Sequence, residues 1–405
     1  MIKIDKKNKK IVLFIIAFFV ALVFFKNQLI APIQARATTE IRGVWLTNVD
    51  SDILFSNREL TGALERLQNL NFNRIYPTVW QGGYTLYPSA VAGEVFGVEL
   101  DPTPGLQGRD MLREVVEEGH QRQLTVIPWF EFGLMVPVDS PLAKRHPDWL
   151  TTTREGSLTQ PKGNPEWGWL NPFRPEVQDL IINLITEIVK NYDIDGIQFD
   201  DHFGLPSEFG YDSFTVQLFQ QQHGGQSPPD NPLDTYWVRW RADRLNEFME
   251  RVFYAVKAIQ SDCIVSLSPN PLHFALPAYL QDWFTWERRG YIEELVLQVY
   301  RPDIDRFITE LEREEVKLAN GHIPVVVGIL SGLKNRPTAT ETLDQKVKIV
   351  RDRNFAGVSF FFYESLWNWA EDSPAEREDW LQTIFSEPMS RSNESADYAD
   401  VADWE

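Results

Sequence analysis

The sequence predicts an α/β chain closed into a (β/α)₈ TIM barrel with long loops at its C-terminal face, and three observations predict it. Eight short segments have the apolar make-up of buried parallel strands. Helical patterns follow most of them, which implies right-handed crossovers within one parallel sheet, and eight such units close into a barrel. The rival architecture, a doubly wound open sheet, needs a glycine-rich phosphate loop after an early strand; Gln81-Gly82-Gly83-Tyr84 is too short and wrongly spaced for one.

In chain order the predicted strands are Arg42 to Thr47, Arg74 to Val79, Leu124 to Phe130, Gly196 to Asp200, Ile264 to Ser268, Leu295 to Tyr300, Val325 to Leu330 and Gly357 to Phe362. Most are rich in Val, Ile and aromatic residues. None alternates along its whole length as a half-solvated strand does. Ser56 and Glu59 stand at capping-box spacing ahead of Leu60, Leu64 and Leu67, and Pro175 opens a helix with Val177, Leu180, Ile181, Leu184 and Ile188 on one stripe. The loops after strands three and four, Glu131 to Arg174 and Asp201 to Asp234, are long and carry Trp149, Trp167, Trp169, Phe209 and Tyr211. In a barrel they emerge at the substrate-binding face. Their rings either offer flat apolar faces to sugars or pack the loops into a small satellite core.

Composition bounds the partners. The 405 residues are 43% hydrophobic and 24% charged, enough to bury the core of one large barrel. A net charge of −19 leaves no basic footprint with which to neutralise phosphates, so nucleic acid is excluded as a partner. Residues 1–37 read as a signal peptide or an N-terminal membrane anchor: the lysine-rich Lys3 to Lys10, the apolar run Ile11 to Phe25, then the small-x-small site Ala35-Arg36-Ala37. The chain is therefore expected to be exported, periplasmic or otherwise in the cell envelope, touching the membrane only if that segment is kept. Residues 38–385 form the barrel and the acidic, non-periodic 386–405 a disordered tail. The single cysteine, Cys263, rules out an intrachain disulfide and reads as a small buried hydrophobe.

The stretch Asp195-Gly196-Ile197-Gln198-Phe199-Asp200-Asp201-His202 places two adjacent acids at the end of an otherwise apolar strand, a costly arrangement without a use. With a side-chain period of two, Gln198 and Asp200 share a face and Asp201 turns toward the lip. If Gln198 faces the barrel axis, Asp200 stands in the substrate cleft. Strand three ends Pro128-Trp129-Phe130-Glu131 and strand eight ends Phe361-Phe362-Tyr363-Glu364, so three strands bring acids to one mouth. Cleaving a glycosidic bond requires two carboxyl groups, one to protonate the leaving oxygen and one to act as nucleophile or base. Asp200, Glu364 and Glu131 are the catalytic candidates. Glu364, flanked by Phe362, Tyr363 and Trp367, is expected to be the proton donor because aromatic surroundings favour a neutral carboxyl. Asp200 is then nucleophile or base, and Glu131 replaces either; a salt bridge or loop anchor is the plain alternative for each glutamate.

Asp201, Gln198, Asn48, Asn270, Gln298 and Tyr300 are candidates to bind sugar hydroxyls, with Trp45 and Trp129 at the same strand ends. No metal or cofactor is expected, Asp201 with His202 being the one pair that could hold an ion. His120, His146, His202, His223, His273 and His322 show neither His-x-His nor His-Glu-x-x-His spacing, and no Gly-x-Ser-x-Gly elbow occurs.

At these strands the chain resembles the glycosyl hydrolase-like 10 family of bacterial exported proteins, over Glu40 to about Phe385. The resemblance rests on Arg42-Gly43-Val44-Trp45-Leu46-Thr47, Asp195 to Asp201, Leu267-Ser268-Pro269-Asn270, Gln298-Val299-Tyr300-Arg301, Gly328-Ile329-Leu330 and Gly357 to Leu366 taken together. It implies a cell-wall substrate similar to that of a divisome-localised member, which cuts peptidoglycan strands stripped of stem peptides. Many relatives carry Asn-Pro-Tyr-Arg after strand three where this chain has Glu131-Phe132-Gly133-Leu134, so Glu131 is not implied as a family-wide catalytic group. Asp195 to Asp200 is also similar to the Asp-Gly-x-x-x-Asp strand of amylase-type barrels, in which the last acid is the nucleophile. The expected function is thus an exported glycoside hydrolase acting on a cell-wall glycan. Its rival is a catalytically silent glycan-binding or cell-division scaffold on the same barrel.

Overall fold

A computed structural model describes residues 40–159 and 166–388. The predicted export segment, and the tail from residue 389 onward, lie outside the described residues.

Eight parallel strands form the sheet: β1 (Ile41–Leu46), β2 (Arg74–Pro77), β3 in two pieces (Thr125–Val126 and Trp129–Phe130), β4 (Gly196–Asp200), β5 (Ile264–Ser268), β6 (Glu294–Gln298), β7 (Val325–Leu330) and β8 (Gly357–Phe361). β8 pairs with β1 and the order runs on through consecutive neighbours. Closure falls to β3, whose first piece pairs with β2 while its second pairs with β4, so the two ends of the ladder are halves of one strand. The break is at Pro128, which has no N–H for a ladder; its carbonyl still accepts from Gln198 N at 2.8 Å. The expected single run from Leu124 to Phe130 is therefore interrupted, and the other strands differ from expectation by a few terminal residues.

The outer ring consists of α1 (Asn57–Asn69), α2 (Met111–Gln121), α3 (Pro175–Asn191), α4 (Thr235–Lys257), α5 (Trp283–Arg288), α6 (Ile304–Leu311), α7 (Thr340–Asp352) and α8 (Pro374–Ile384). Ser56 caps α1 by accepting from Glu59 N, and α3 begins at Pro175 with its Val177, Leu180, Ile181, Leu184 and Ile188 stripe buried. Those stripes pack against the outward side chains of the strands, such as Val44, Ile75, Ile197, Val265 and Val327, in one continuous core. Cys263 is buried, as expected.

Inside the barrel a second layer gathers Ile41, Trp45, Tyr76, Ile127, Trp129, Val296 and Val326. One ion pair is buried with them: Arg74 of β2 meets Glu294 of β6, and Tyr76 Oη and Ser266 Oγ also donate to that carboxylate, at 3.1 and 2.9 Å. The desolvation cost of the pair is offset by these extra donors. The interior is thus packed solid below the mouth, which confines any ligand to the C-terminal rim.

Candidate active site

At that rim a cavity of about 190 Å³ is lined by Trp45, Trp129, Glu131, Asp200, Asp201, His202, Ser268, Gln298, Tyr300 and Phe361. Its floor is aromatic. Trp45, Trp129 and Phe361 meet edge to face or tilted, with centroids 6.0 to 6.3 Å apart, and Tyr300 leans on Phe361 at 5.5 Å.

Gln198 explains how the floor is held. Its Oε1 accepts from Trp45 Nε1 at 2.7 Å and its Nε2 donates to Ser266 Oγ at 2.9 Å, which fixes the indole from below. Gln198 does face the barrel axis, and Asp200 two residues on lines the cavity, as the period of two requires. Gln198 itself is fully buried with its amide already engaged, so the expectation that it binds sugar is corrected: it supports Trp45 instead.

Asp200 is 3% exposed. Its Oδ1 accepts from His202 N at 2.8 Å, and His202 Nδ1 stands 3.2 Å from both of its oxygens. Burial pushes the carboxyl up to about 6, against the lowering effect of His202. His202 is held as a plate between Phe132 and Trp169, with centroids 5.2 and 6.0 Å away, and Phe132 stacks in turn on Trp167 at 4.9 Å. Burial opposes charge on the imidazole, but Asp200, Asp201 and Glu131 outweigh it and push it up to about 10. At neutral pH the pair is therefore an imidazolium beside a carboxylate.

Glu131, from the end of β3, lines the same cavity and is 6% exposed. Thr47 Oγ1 donates to both its oxygens at 3.0 and 2.9 Å, and Thr78 Oγ1 to Oε2 at 2.8 Å. Burial, aided by the Asp200 charge, still pushes it up to about 7 despite those hydroxyls. Asp201 turns to the lip, as expected, where Asn270 Nδ2 donates to Oδ2 at 3.0 Å and Gln298 Nε2 to Oδ1 at 2.9 Å. Asn270 and Gln298 accordingly act first on Asp201 rather than standing free. One ligand atom each of Asp200, Asp201 and His202 lie within 4.8 Å of one another, a spacing a cation could use. The two carboxylates are already engaged by His202, Asn270 and Gln298.

Glu364 is not part of this cluster. It sits in the first turn of a short helix (Tyr363–Trp367), where Ser51 Oγ donates to Oε1 at 2.9 Å and Asn368 Nδ2 to Oε2 at 2.7 Å. It lines a separate polar recess of about 650 Å³ together with Asn48. Of the aromatic residues expected around it, Tyr363 and Trp367 line the same recess, Trp367 with its ring under Arg66, while Phe362 turns inward onto Phe361 and Trp369. The loop aromatics divide in the same way. Trp169 and Phe209 are buried, Tyr211 packs on Trp237 and Trp149 on His146, so these rings mainly hold the loops together.

Thr47, Thr78 and Phe132 are parts of the site that the sequence pattern did not mark, and His202 was marked only as a possible partner of Asp201 in holding an ion. Thr47 and Thr78 each follow an apolar strand, the signal that drew attention to Asn48, and His202 directly follows the two acids.

The model of the family described as glycosyl hydrolase-like 10 matches residues 40–348, most of the chain and the whole of the cavity except Phe361. The chain belongs to the glycosyl hydrolase-like 10 family. It is 26% identical over 278 residues to glycosyl hydrolase YngK of Bacillus subtilis (strain 168), covering 63% of this chain and 50% of that protein. It is 24% identical over 316 residues to glycosyl hydrolase DigH of Escherichia coli (strain K12), covering 66% and 67%. The chain thus spans about half the length of the first of these relatives. In fold it is similar to the glycoside hydrolase domain of PgaB (BpsB) from Bordetella bronchiseptica, with a TM-score of 0.61 at 15% identity over 83% of this chain and 99% of that one. The catalytic domain of β-amylase from Paenibacillus polymyxa gives 0.59 at 11% identity, over 87% and 99%. Both likenesses confirm the barrel and nothing finer.

Proposed function

We propose that this glycosyl hydrolase-like 10 protein is exported and hydrolyses O-glycosidic bonds in a cell-wall glycan, peptidoglycan strands lacking stem peptides, by means of carboxyl groups delivered by β3 and β4. The observation that carries the reading is the cavity itself. Glu131, Asp200 and Asp201 converge from two strand ends on one aromatic-floored pocket.

Their surroundings separate their roles. Glu131, pushed up to about 7, keeps a proton near neutrality and is the group suited to protonate the leaving oxygen. Asp200, beside the His202 cation, is ionised there and is suited to act as nucleophile or base. Asp201, already gripped by two amides, presents the remaining lone pairs of its carboxylate to sugar O–H or N–H groups. The proton-donor role thus passes from Glu364 to Glu131. Because Glu131 departs from the pattern of many relatives, that role belongs to this chain. Trp45, Trp129 and Tyr300 bound the sugar with apolar faces. Export rests on the order of charge and apolarity in residues 1–25, and the substrate on the family resemblance.

Mass spectrometry of what the purified protein releases from stem-peptide-free strands, intact peptidoglycan and chitin tests this. Soluble fragments from the first alone support the reading. Release only from chitin removes the cell-wall substrate, and binding without release from any of the three makes the barrel a glycan-binding scaffold.

A further inference from the structure

The recess beside the active site holds groups that catalysis leaves unused. It opens at the ends of β1 and β8, one residue along from Thr47 and three from Phe361, both of which belong to the catalytic cavity or its Glu131 partner. A hydrolase that cuts within a chain must hold sugar on both sides of the bond. The catalytic cavity, at about 190 Å³, falls below the roughly 300–1,000 Å³ of ordinary ligand pockets, and the recess, at about 650 Å³, falls within it.

Its polar atoms are set for a ligand that both donates and accepts. Each oxygen of Glu364 takes one protein hydrogen bond, from Ser51 or Asn368, and keeps further lone-pair capacity. Asn48 Oδ1 and Trp367 Nε1, one acceptor and one donor, are buried with no hydrogen-bond partner among the described residues, and Trp367 is only 5% exposed. Buried polar atoms of this kind are costly unless satisfied. The cations lining the recess are already spent: Lys334 pairs with Asp50, and Arg66 pairs with Glu378 at 2.9 Å while lying over the Trp367 ring. Glu364, Asp52 and Asn48 are left as acceptors, which suit O–H and N–H donors and repel a carboxylate.

We propose that this recess is a second sugar subsite, which seats an uncharged N-acetylhexosamine-type unit of the strand through Glu364, Asn48 and Trp367. The proposal rests on the glycan-hydrolase reading and names the unit flanking the one in the catalytic cavity. In an alternating cell-wall strand that is the unit without the lactyl carboxylate.

The test is calorimetric binding of the β-1,4-linked N-acetylglucosamine dimer and of monomeric N-acetylglucosamine to the Asp200→Asn protein, alone and combined with Glu364→Gln or Asn48→Ala. Lys190→Ala, at the C-terminal end of α3 and the opposite end of the barrel, is the control. The subsite predicts tighter binding of dimer than of monomer, and loss of about tenfold of that advantage in each recess variant but not in the control. Two recess variants, each checked by thermal melting, guard against a folding defect in one. A dimer advantage that survives both folded variants, or no advantage in the parent, overturns the subsite. Failure of the hydrolase reading is seen separately: wild-type protein that releases no reducing ends, yet shows a dimer advantage dependent on Glu364, retains the subsite and loses the enzyme.

Discussion

His202 holds Asp200 twice, through its backbone N–H at 2.8 Å from Oδ1 and through ring Nδ1 at 3.2 Å from both oxygens. The ring is clamped between Phe132 and Trp169, so the positive charge is fixed in place next to the carboxylate proposed as nucleophile or base. Removing the charge while keeping a ring, as in His202→Phe, leaves burial and the Asp201 charge opposed by the backbone N–H of residue 202 but by no neighbouring imidazolium. The acidic limb of the rate profile, which should lie near pH 6 in the wild type, is expected to move upward, with kcat/KM down on the order of 10–100-fold at pH 6. A pH–rate profile checks this; an unmoved acidic limb in an active variant contradicts it.

Glu131 must be protonated and Asp200 ionised for the proposed step. With these groups pushed up to about 7 and about 6, the active form is most populated between those values. The rate should therefore fall on the acid side as Asp200 takes up its proton and on the alkaline side as Glu131 loses its own. In Glu131→Gln the alkaline limb should vanish, together with roughly 10²–10⁴-fold of rate on unactivated substrates, and the loss should be smaller on an aryl glycoside whose leaving group needs no proton.

The same residue carries a stability consequence of opposite sign. Its folded-state value of about 7 lies above the ordinary 4.5, so between these pH values the folded chain binds a proton that the unfolded chain has released. Stability then falls as pH rises through that window, and the deficit persists above it. Glu131→Gln should accordingly gain on the order of 1–3 kcal/mol at pH 8 relative to pH 4.5. Denaturant unfolding at the two pH values measures the difference.

Gly133 places the loop after β3 against the segment that carries His202. Its φ of +42° is a left-handed setting, and a Cβ there would lie 2.5 Å from the His202 carbonyl oxygen. Gly133→Ala should cost about 1–3 kcal/mol or more of stability, and should lower activity more than a distant substitution of equal cost. Melting temperature and kcat measured together show whether the two losses coincide.

Much of this site was legible in the sequence because strands have a rigid period. Gln198 and Asp200 are two positions apart, and the structure keeps both on the inner face, one holding the floor and one lining the cavity. Glu131 was found in the same way, at the end of an apolar run. Glu364 was not placed correctly because it lies three residues past β8, on a helical turn rather than on the strand, where a period of two no longer says where a side chain points. Thr47, Thr78 and the Phe132–His202–Trp169 stack escaped because each depends on contact between segments distant in sequence, which local pattern does not encode. The same limit applies to Pro128, whose break in β3 is visible locally while its role in closing the barrel is not.

The most direct measurement is the initial rate of reducing-end release from stem-peptide-free glycan strands by wild-type and Asp200→Asn protein near pH 6.5, with strand binding measured in parallel. The account predicts release by the wild type, a loss of at least about 10³-fold in the variant, and binding preserved within a few fold. An Asp200→Asn protein that cuts at close to the wild-type rate, or a wild type that holds the strands and never cuts them, contradicts it.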